Sequence, residues 1–331
     1  MIAAPYFEDL AVGMVIDGAP SLTLTSGHAA IHQAVLGDRL RLPLDLELSR
    51  RVTGAGAALA HPGLVCDVAI GQSTPVTQRV IANLFYRGLV LCRAPLIGDT
   101  LRTSVEIVGL RQNKPRPHRD ATGLAALHVH TSDQDGRRVL DFWRCAMLPL
   151  RDSGVSTGHA DDLDRIGVAA DPPPLAGAIE GWDLGEFRRA APSSNLDALA
   201  AGQRWEVVGG DVVSGASELA RLTLNVAFAH HDRTASRDGR RLVYGGHAIG
   251  LVGSQIARAL PNLVTILAWH SCDHLGPVHE GDTLRTGLEL DRVEPLPGGG
   301  AIVHLHACAS AVGEDDAESD VLDWRLAAVM A

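Results

Sequence analysis

GDTLRT stands at residues 98–103 and again, letter for letter, at 281–286. A six-letter word rarely repeats by chance, so the reach of the echo decides how the chain is organised. Each copy runs into a strand-like stretch, SVEIVGL (104–110) and GLELDRV (287–293). Further on, LHVHTSDQDGRRVLDFWRCAM (127–147) answers VHLHACASAVGEDDAESDVLDWRLAAVM (303–330). Val139, Leu140, Asp141 and Arg144 reappear there as Val321, Leu322, Asp323 and Arg325, with a Trp before each Arg. Upstream, FEDLAVGMVI (7–16) resembles LDALAAGQRWEV (196–207), and TSGHAAIH (25–32) resembles VSGASELA (213–220). The chain reads as two copies of one unit, 1–152 and 181–331. Residues 153–180 join them, and their Gly, Asp and triple Pro mark a linker.

Both units keep one order of elements. A polar-capped helix is expected from Thr25 or Ser26, and from Ser214 in the second copy. Small-residue helices follow at HPGLVCDVAIGQS (61–73) and YGGHAIGLVGSQIARAL (244–260), and then several alternating strands with Gly-Asp or Asp-Gly turns. An apolar helix followed by such a meander predicts an α+β unit, an antiparallel sheet wrapped around a central helix.

The bulk properties exclude several classes. A net charge of −10, with Lys114 the single lysine, argues against a nucleic-acid surface. Five cysteines without a Cys-x-x-Cys pair suit free thiols in a reducing compartment. The first ten residues lack a basic start before an apolar stretch, and no run of 18 apolar residues exists. The expected setting is the cytoplasm, without a membrane partner.

The order of elements, YFEDLAVG near the start, Pro-Gly or Gly-Gly at the helix starts and GDTL on the following strand together resemble the MaoC-like hydratase/dehydratase family. LVYGGHAIGL (242–251) and FEDL bring the chain closest to its mesaconyl-CoA hydratase-like (β-methylmalyl-CoA dehydratase-like) branch. The resemblance implies a tandem, or double, hot-dog fold. It implies reversible hydration of a 2-enoyl-CoA thioester, short and branched or dicarboxylic, such as mesaconyl-CoA; the alternatives are a non-catalytic acyl-CoA-binding or subunit role with a degraded motif, and thioesterase action on the same fold. Coenzyme A enters as part of the substrate, and no metal or other cofactor is implied. Hot-dog sheets also extend edge to edge, which makes a homo-oligomer an open expectation.

Hydrating a conjugated thioester takes a base for water, an acid for C2 and donors for the thioester oxygen. The resemblance implies that Asp-x-Asn-Pro-x-His carries the first two. In the second unit His230 keeps the imidazole slot and Asp232 the following acid. Asn225 replaces the catalytic Asp, Ala227 the Asn and Phe228 the Pro. In the first unit Asp38 keeps the acid, while Pro43 falls in the His slot and Asp45 reaches it only with a two-residue insertion. Two modified sites are open: His230 with Asn225 and either His231 or Asp232, or a carboxylate pair, Asp38 and Asp45. Gly63 and Gly246, at the two helix starts, are the expected oxyanion donors, with His247 beside the second.

WHSCDHLGPVH (269–279) gathers His270, Cys272, Asp273, His274 and His279 without a recognised metal spacing. Period two puts His270, Cys272 and His274 on one strand face, and a polar face lining a ligand tunnel is the expectation. LHVH and VHLH read as inherited strand architecture. RQNKPRPHR (111–119) concentrates cations at a hairpin tip that could meet coenzyme A phosphates.

Overall fold

A computed structural model describes residues 4–168, 174–191, 196–236, 239–314 and 316–331. Two of the three linker prolines, Pro172 and Pro173, lie outside them. The first half runs β1 (Val15–Ile16), β2 (Leu22–Thr23), α1 (Ser26–Leu36), α2 (Arg41–Leu44), α3 (Leu46–Thr53) and α4 (Pro62–Gln72). Four long strands follow: β3 (Ala82–Leu91), β4 (Thr100–Gln112), β5 (Thr122–Ser132) and β6 (Arg138–Pro149). The second half repeats this with α5 (Leu184–Ala190), β7 (Arg204–Glu206), β8 (Asp211–Val212), α6 (Ala216–Leu222) and α7 (Gly245–Ala259). It closes with β9 (Leu263–His274), β10 (Thr283–Pro295), β11 (Ala301–Val312) and β12 (Glu318–Met330).

One antiparallel sheet contains both halves, in the order β1-β4-β5-β6-β3-β9-β12-β11-β10-β7. The order is a palindrome in the two copies, and its centre is the β3–β9 pair, in register from Phe85 opposite Asp273 to Val90 opposite Ala268. This is a double hot-dog fold. The two central helices, α4 and α7, pack on each other within the curl of the sheet. Every residue of α4 except Gly63 is buried, which is why its sequence is apolar all round rather than striped. Among the described residues no helix is long and apolar enough to cross a membrane.

The repeated hexapeptide is the hinge between helix and sheet. Gly98 and Gly281 take positive φ (110° and 98°), which suits glycine. Asp99 and Asp282 then close the turn by accepting from the amides of Leu96 and His279, each at 2.8 Å. Leu101 and Leu284 are fully buried, and their carbonyls accept from Gln72 at 3.1 Å and Gln255 at 2.9 Å, at the ends of α4 and toward the end of α7. Six letters recur because one helix–strand joint is built twice.

Three expectations need correction. Ser214 does not cap α6: its N-cap is Gly215, without a side-chain hydrogen bond, whereas Thr25 does cap α1. Arg144 and Arg325 are not equivalent either. Arg144 pairs across from Leu127 and Arg325 from His306, and the residue matching Arg144 is Leu326, opposite Leu305. The strands keep step from Asp141 and Asp323 to Arg144 and Leu326 with no residue deleted, so the two arginines stand at neighbouring positions on opposite faces, Arg144 inward and buried, Arg325 outward against Asp291. Finally, His270 sits at an irregularity where β12 skips from Ser271 to Trp269, so period two fails. His270 is exposed and pairs with His304 at 2.9 Å, while Cys272 is buried.

Candidate active site

The start of α7 is open. Its N-cap, Tyr244, makes no capping hydrogen bond, and Gly245 begins the helix beside a cavity of about 380 Å³. A helix start carries unsatisfied N–H groups and partial positive charge, so its first amides point at whatever fills that space. A Cβ at Gly245 would lie 2.6 Å from Nε2 of His274, so glycine lets the backbone and the imidazole meet. Tyr86, Thr77 and Arg144 come to this cavity from the first half; Asn225, His230, Tyr244 and His274 come from the second.

The loop carrying Asn225 and His230 is seated by the first half. Thr74 Oγ1 accepts from the Val226 amide at 2.9 Å, and the Gln78 carbonyl accepts from the Phe228 amide at 2.8 Å. Asn225 Oδ1 accepts from the Ala227 amide at 2.9 Å, while its buried Nδ2 has no partner. His230 Nδ1 donates to the Leu242 carbonyl at 3.0 Å, which fixes the tautomer and leaves Nε2 as the lone-pair nitrogen at the cavity. Burial pulls the ring down to a pKa of about 4, so it is neutral at pH 7. His274 is also held near 4 by burial, and its Nε2 is unpaired.

The matching helix start in the first half is closed. His61 caps α4, its Nδ1 accepting from the Gly63 amide at 3.0 Å. His61 Nε2 lies 3.2 Å from Asp38 Oδ2, and Asp38 Oδ1 accepts from the Leu40 amide at 2.7 Å. Burial raises the Asp38 carboxyl, but the His61 imidazole beside it and the Leu40 amide, with His32 nearby, together outweigh this and leave the group below its ordinary value. Beside this pair His32 and Asp67 approach to 3.4 Å, and the adjoining cleft holds only about 20 Å³.

The expected site residues therefore separate. Asn225 and His230 share the cavity at the start of α7; Asp38, Gly63 and Gly246 line the small cleft. The Gly63 N–H is already spent on His61. A Cβ at Gly246 would collide with Asp67 Oδ1, so Gly245, one residue earlier, is the glycine at the open helix start. His247 is fully buried behind it with both ring nitrogens unpaired, and burial lowers it to about 4. Three residues have local duties instead. His231 Nε2 donates to the Asn225 carbonyl at 2.6 Å, bracing the loop. Asp232 is exposed and caps the turn at Arg233–Ala235. Asp45 is exposed and caps α3 through the Leu48 amide. Asp38 and Asp45 both border an open surface pocket of about 840 Å³, but Asp38 is buried against His61 while Asp45 is exposed and spent on its helix cap.

Sequence reading missed His61 and the inward turn of Arg144; His274 was seen only as part of a polar face. A His directly before Pro-Gly at a helix start was the available signal for His61. The matched outward histidines are His128 and His306, paired with Asp141 at 2.8 Å and Asp323 at 3.0 Å. The recurrence makes this pair an inherited feature of the outer sheet face. Among the described residues, only His306, Cys308 and Asp323 place three possible metal ligands together, on that outer face and away from both clefts.

The cationic hairpin between β4 and β5 borders a groove of about 410 Å³ lined by Lys114, Arg116 and Arg119. Leu84 lines both this groove and the cavity at α7, so the two are neighbours.

No family model matches the chain. It is 29% identical over 91% of its length to mesaconyl-CoA hydratase of Cereibacter sphaeroides, covering 88% of that protein. It is 30% identical over 88% of its length to β-methylmalyl-CoA dehydratase of Chloroflexus aurantiacus, covering 84% of it. Among solved structures, a conserved hypothetical protein from Mycobacterium tuberculosis with a double hot-dog fold, essential for bacterial survival during infection, matches with TM-score 0.93 and 50% identity over all of both chains. A MaoC domain dehydratase from Chloroflexus aurantiacus matches with TM-score 0.84 and 26% identity, over 99% of this chain and 97% of that one.

Proposed function

Because the chain belongs to the MaoC-like hydratase/dehydratase family in its double hot-dog form, we propose that it adds water to, and removes it from, a 2-enoyl-CoA thioester in the cavity at the start of α7. The observation that carries this placement is the contrast between the helix starts. That of α7 is uncapped and faces a cavity with an imidazole, whereas that of α4 is filled by His61.

In this reading the thioester oxygen lies at the Gly245 amide, with the neutral His274 ring as a second donor. A charged imidazole is not needed for that task; a neutral ring N–H suffices. Nε2 of His230 takes a proton from water as the oxygen adds to C3, and the charge collects on the thioester oxygen. The same nitrogen then returns its proton to C2, so atoms and charge balance without a metal or further cofactor. Asn225 cannot act as a base, but its free Nδ2 can hold the water. Dehydration is the reverse path. The coenzyme A phosphates are assigned to the groove of Lys114, Arg116 and Arg119, and the cytoplasm is the setting in which such thioesters are met. A second copy would join at the outer strands, β1 or β7.

The test is loss of enoyl-thioester absorbance with crotonyl- and mesaconyl-CoA. His230→Ala is expected to slow hydration by about 100-fold or more. Unchanged turnover would remove His230 from the mechanism. Release of free thiol without hydration would make the protein a thioesterase.

A further inference from the structure

The outer face of β11 and β12 gathers three different donor atoms around one point. His306 Nε2 lies 3.0 Å from Asp323 Oδ1 and 3.3 Å from Cys308 Sγ, and the three atoms all fall within 4.8 Å of one another. Ligands held about 2.0–2.3 Å from a tetrahedral ion stand about 3.3–3.8 Å apart, so this spacing is close to that of a coordination shell. As hydrogen bonding alone the arrangement is poor. One ring nitrogen faces both a carboxylate, which accepts a proton, and a thiol, which offers one.

The duplication supplies a comparison within the same chain. The first half keeps a donor set at matched positions. His128 Nε2 meets Asp141 Oδ1 at 2.8 Å, and His130 stands opposite Asp141 as Cys308 stands opposite Asp323. There the set is covered and neutralised. Trp143 stacks on the His128 ring at 4.6 Å, Arg138 pairs with Asp141 at 2.9 Å, and Val90 faces Asp141 from β3. All three covers have changed in the second half. Arg325 stands for the tryptophan and pairs with Asp291, Asp320 stands for the arginine, and Asp273 stands for the valine. Asp323 and Asp273 therefore oppose each other across two strands, a like-charge pair that destabilises a sheet. Among the described residues no arginine lies within ion-pair distance of Asp323. Burial and the carboxylates of Asp323, Asp320 and Glu289 push the Cys308 thiol above its ordinary value, with Arg325 opposing them. The negative field that holds a proton on that sulfur is one a dication relieves.

We propose that His306, Cys308 and Asp323 bind a divalent transition ion of the zinc class, with water completing the shell on the solvent side. Sulfur and imidazole select such an ion over calcium or magnesium, which take oxygen ligands. Binding displaces the thiol proton to solvent. The ion clips β11 to β12 and offsets the repulsion between Asp323 and Asp273. It takes no part in hydration, because none of its three ligands lines the cavity at α7 or the cleft at α4.

The experiment titrates the reduced, metal-free whole chain with Co²⁺, whose bond to a thiolate gives a near-ultraviolet charge-transfer band. One equivalent is expected to bind, and to be displaced by Zn²⁺ but not by Mg²⁺. Cys308→Ser is expected to abolish the band, and His306→Ala and Asp323→Asn each to weaken binding at least about 10-fold. Asp320→Arg, which restores the first half's arginine, is expected to weaken it severalfold. Cys92→Ser, at the other exposed thiol, is expected to change nothing. Should His306→Ala or Asp323→Asn fail to fold, the exposed positions Cys308 and Asp320 still decide. Absence of the band in the wild type overturns the proposal, as does a band that survives in Cys308→Ser. A band that His306→Ala and Asp323→Asn leave unchanged is the mark of a lone surface thiol and overturns it equally.

Discussion

The Tyr244 hydroxyl donates to Asp67 Oδ1 at 3.1 Å, tying the N-cap of α7 to the middle of α4. Both groups are buried, and the Tyr244 ring stands 5.7 Å from that of His230. One residue thus forms a wall of the open cavity and a strut between the halves. Tyr244→Phe leaves the Asp67 carboxylate short of a donor and is expected to cost about 1–3 kcal/mol, read as a lower urea midpoint. Gly246→Ala drives a methyl into the same carboxylate and should cost about 2 kcal/mol or more. Wild-type stability in either variant would show that the contact is dispensable.

The two helix starts should separate in mutagenesis. His61→Ala removes the cap of α4 and strips Asp38 of its partner, so it should lower stability by about 1–3 kcal/mol. Its kcat should fall far less than that of His230→Ala. If instead Asp38→Asn and His61→Ala abolish hydration while His230→Ala does not, the working centre lies in the first half.

The cationic hairpin is testable through the substrate's handle. Replacing Arg116 and Arg119 together by Ala is expected to raise KM for a coenzyme A thioester severalfold with little change in kcat. The corresponding pantetheine thioester, which has no phosphates at that end, should show no such change. An equal effect on both would place the coenzyme elsewhere.

Acid should weaken the fold in a definite window. Burial holds His230, His247 and His274 near pKa 4, against 6.5 for a free side chain. The unfolded chain therefore takes up protons near pH 6.5 that the folded chain refuses until about pH 4. The stability owed to these neutral rings is complete above about pH 6.5 and is lost as pH falls toward 4. Each ring contributes a slope of about 1.4 kcal/mol per pH unit inside that window. Urea titrations between pH 7.5 and 5 measure it. His247→Leu, which removes a ring with no hydrogen-bond partner, should flatten the slope by one proton. An unchanged slope would mean that His247 is paired by water or already protonated.

The duplication was legible because a turn that needs glycine, and an aspartate to close it, tolerates little drift. The same holds for Gln72 and Gln255, which meet the same strand position in each half. Side-chain facing was not legible. Matching DFWR to DWR by letter needs a gap that the strand register does not contain, so the arginines fall on opposite faces, and the irregularity at His270 likewise shifts facing within β9. Asp45 and Asp232 were misread for another reason: a carboxylate capping a turn and a carboxylate serving chemistry have the same one-letter signature. Only burial and partners distinguish them. Which of two adjacent glycines meets the cavity likewise depends on helix phase, and Gly245 rather than Gly246 has it.

The seam between β3 and β9 has an evolutionary consequence. Two identical subunits must carry every substitution in both of their chambers. Joining them in a single polypeptide ended that obligation, so an arginine could be recruited to one wall and leucine kept at its mirror position. In the proposed reading one chamber could then give up catalysis and leave its volume to a plug of two imidazoles and two carboxylates.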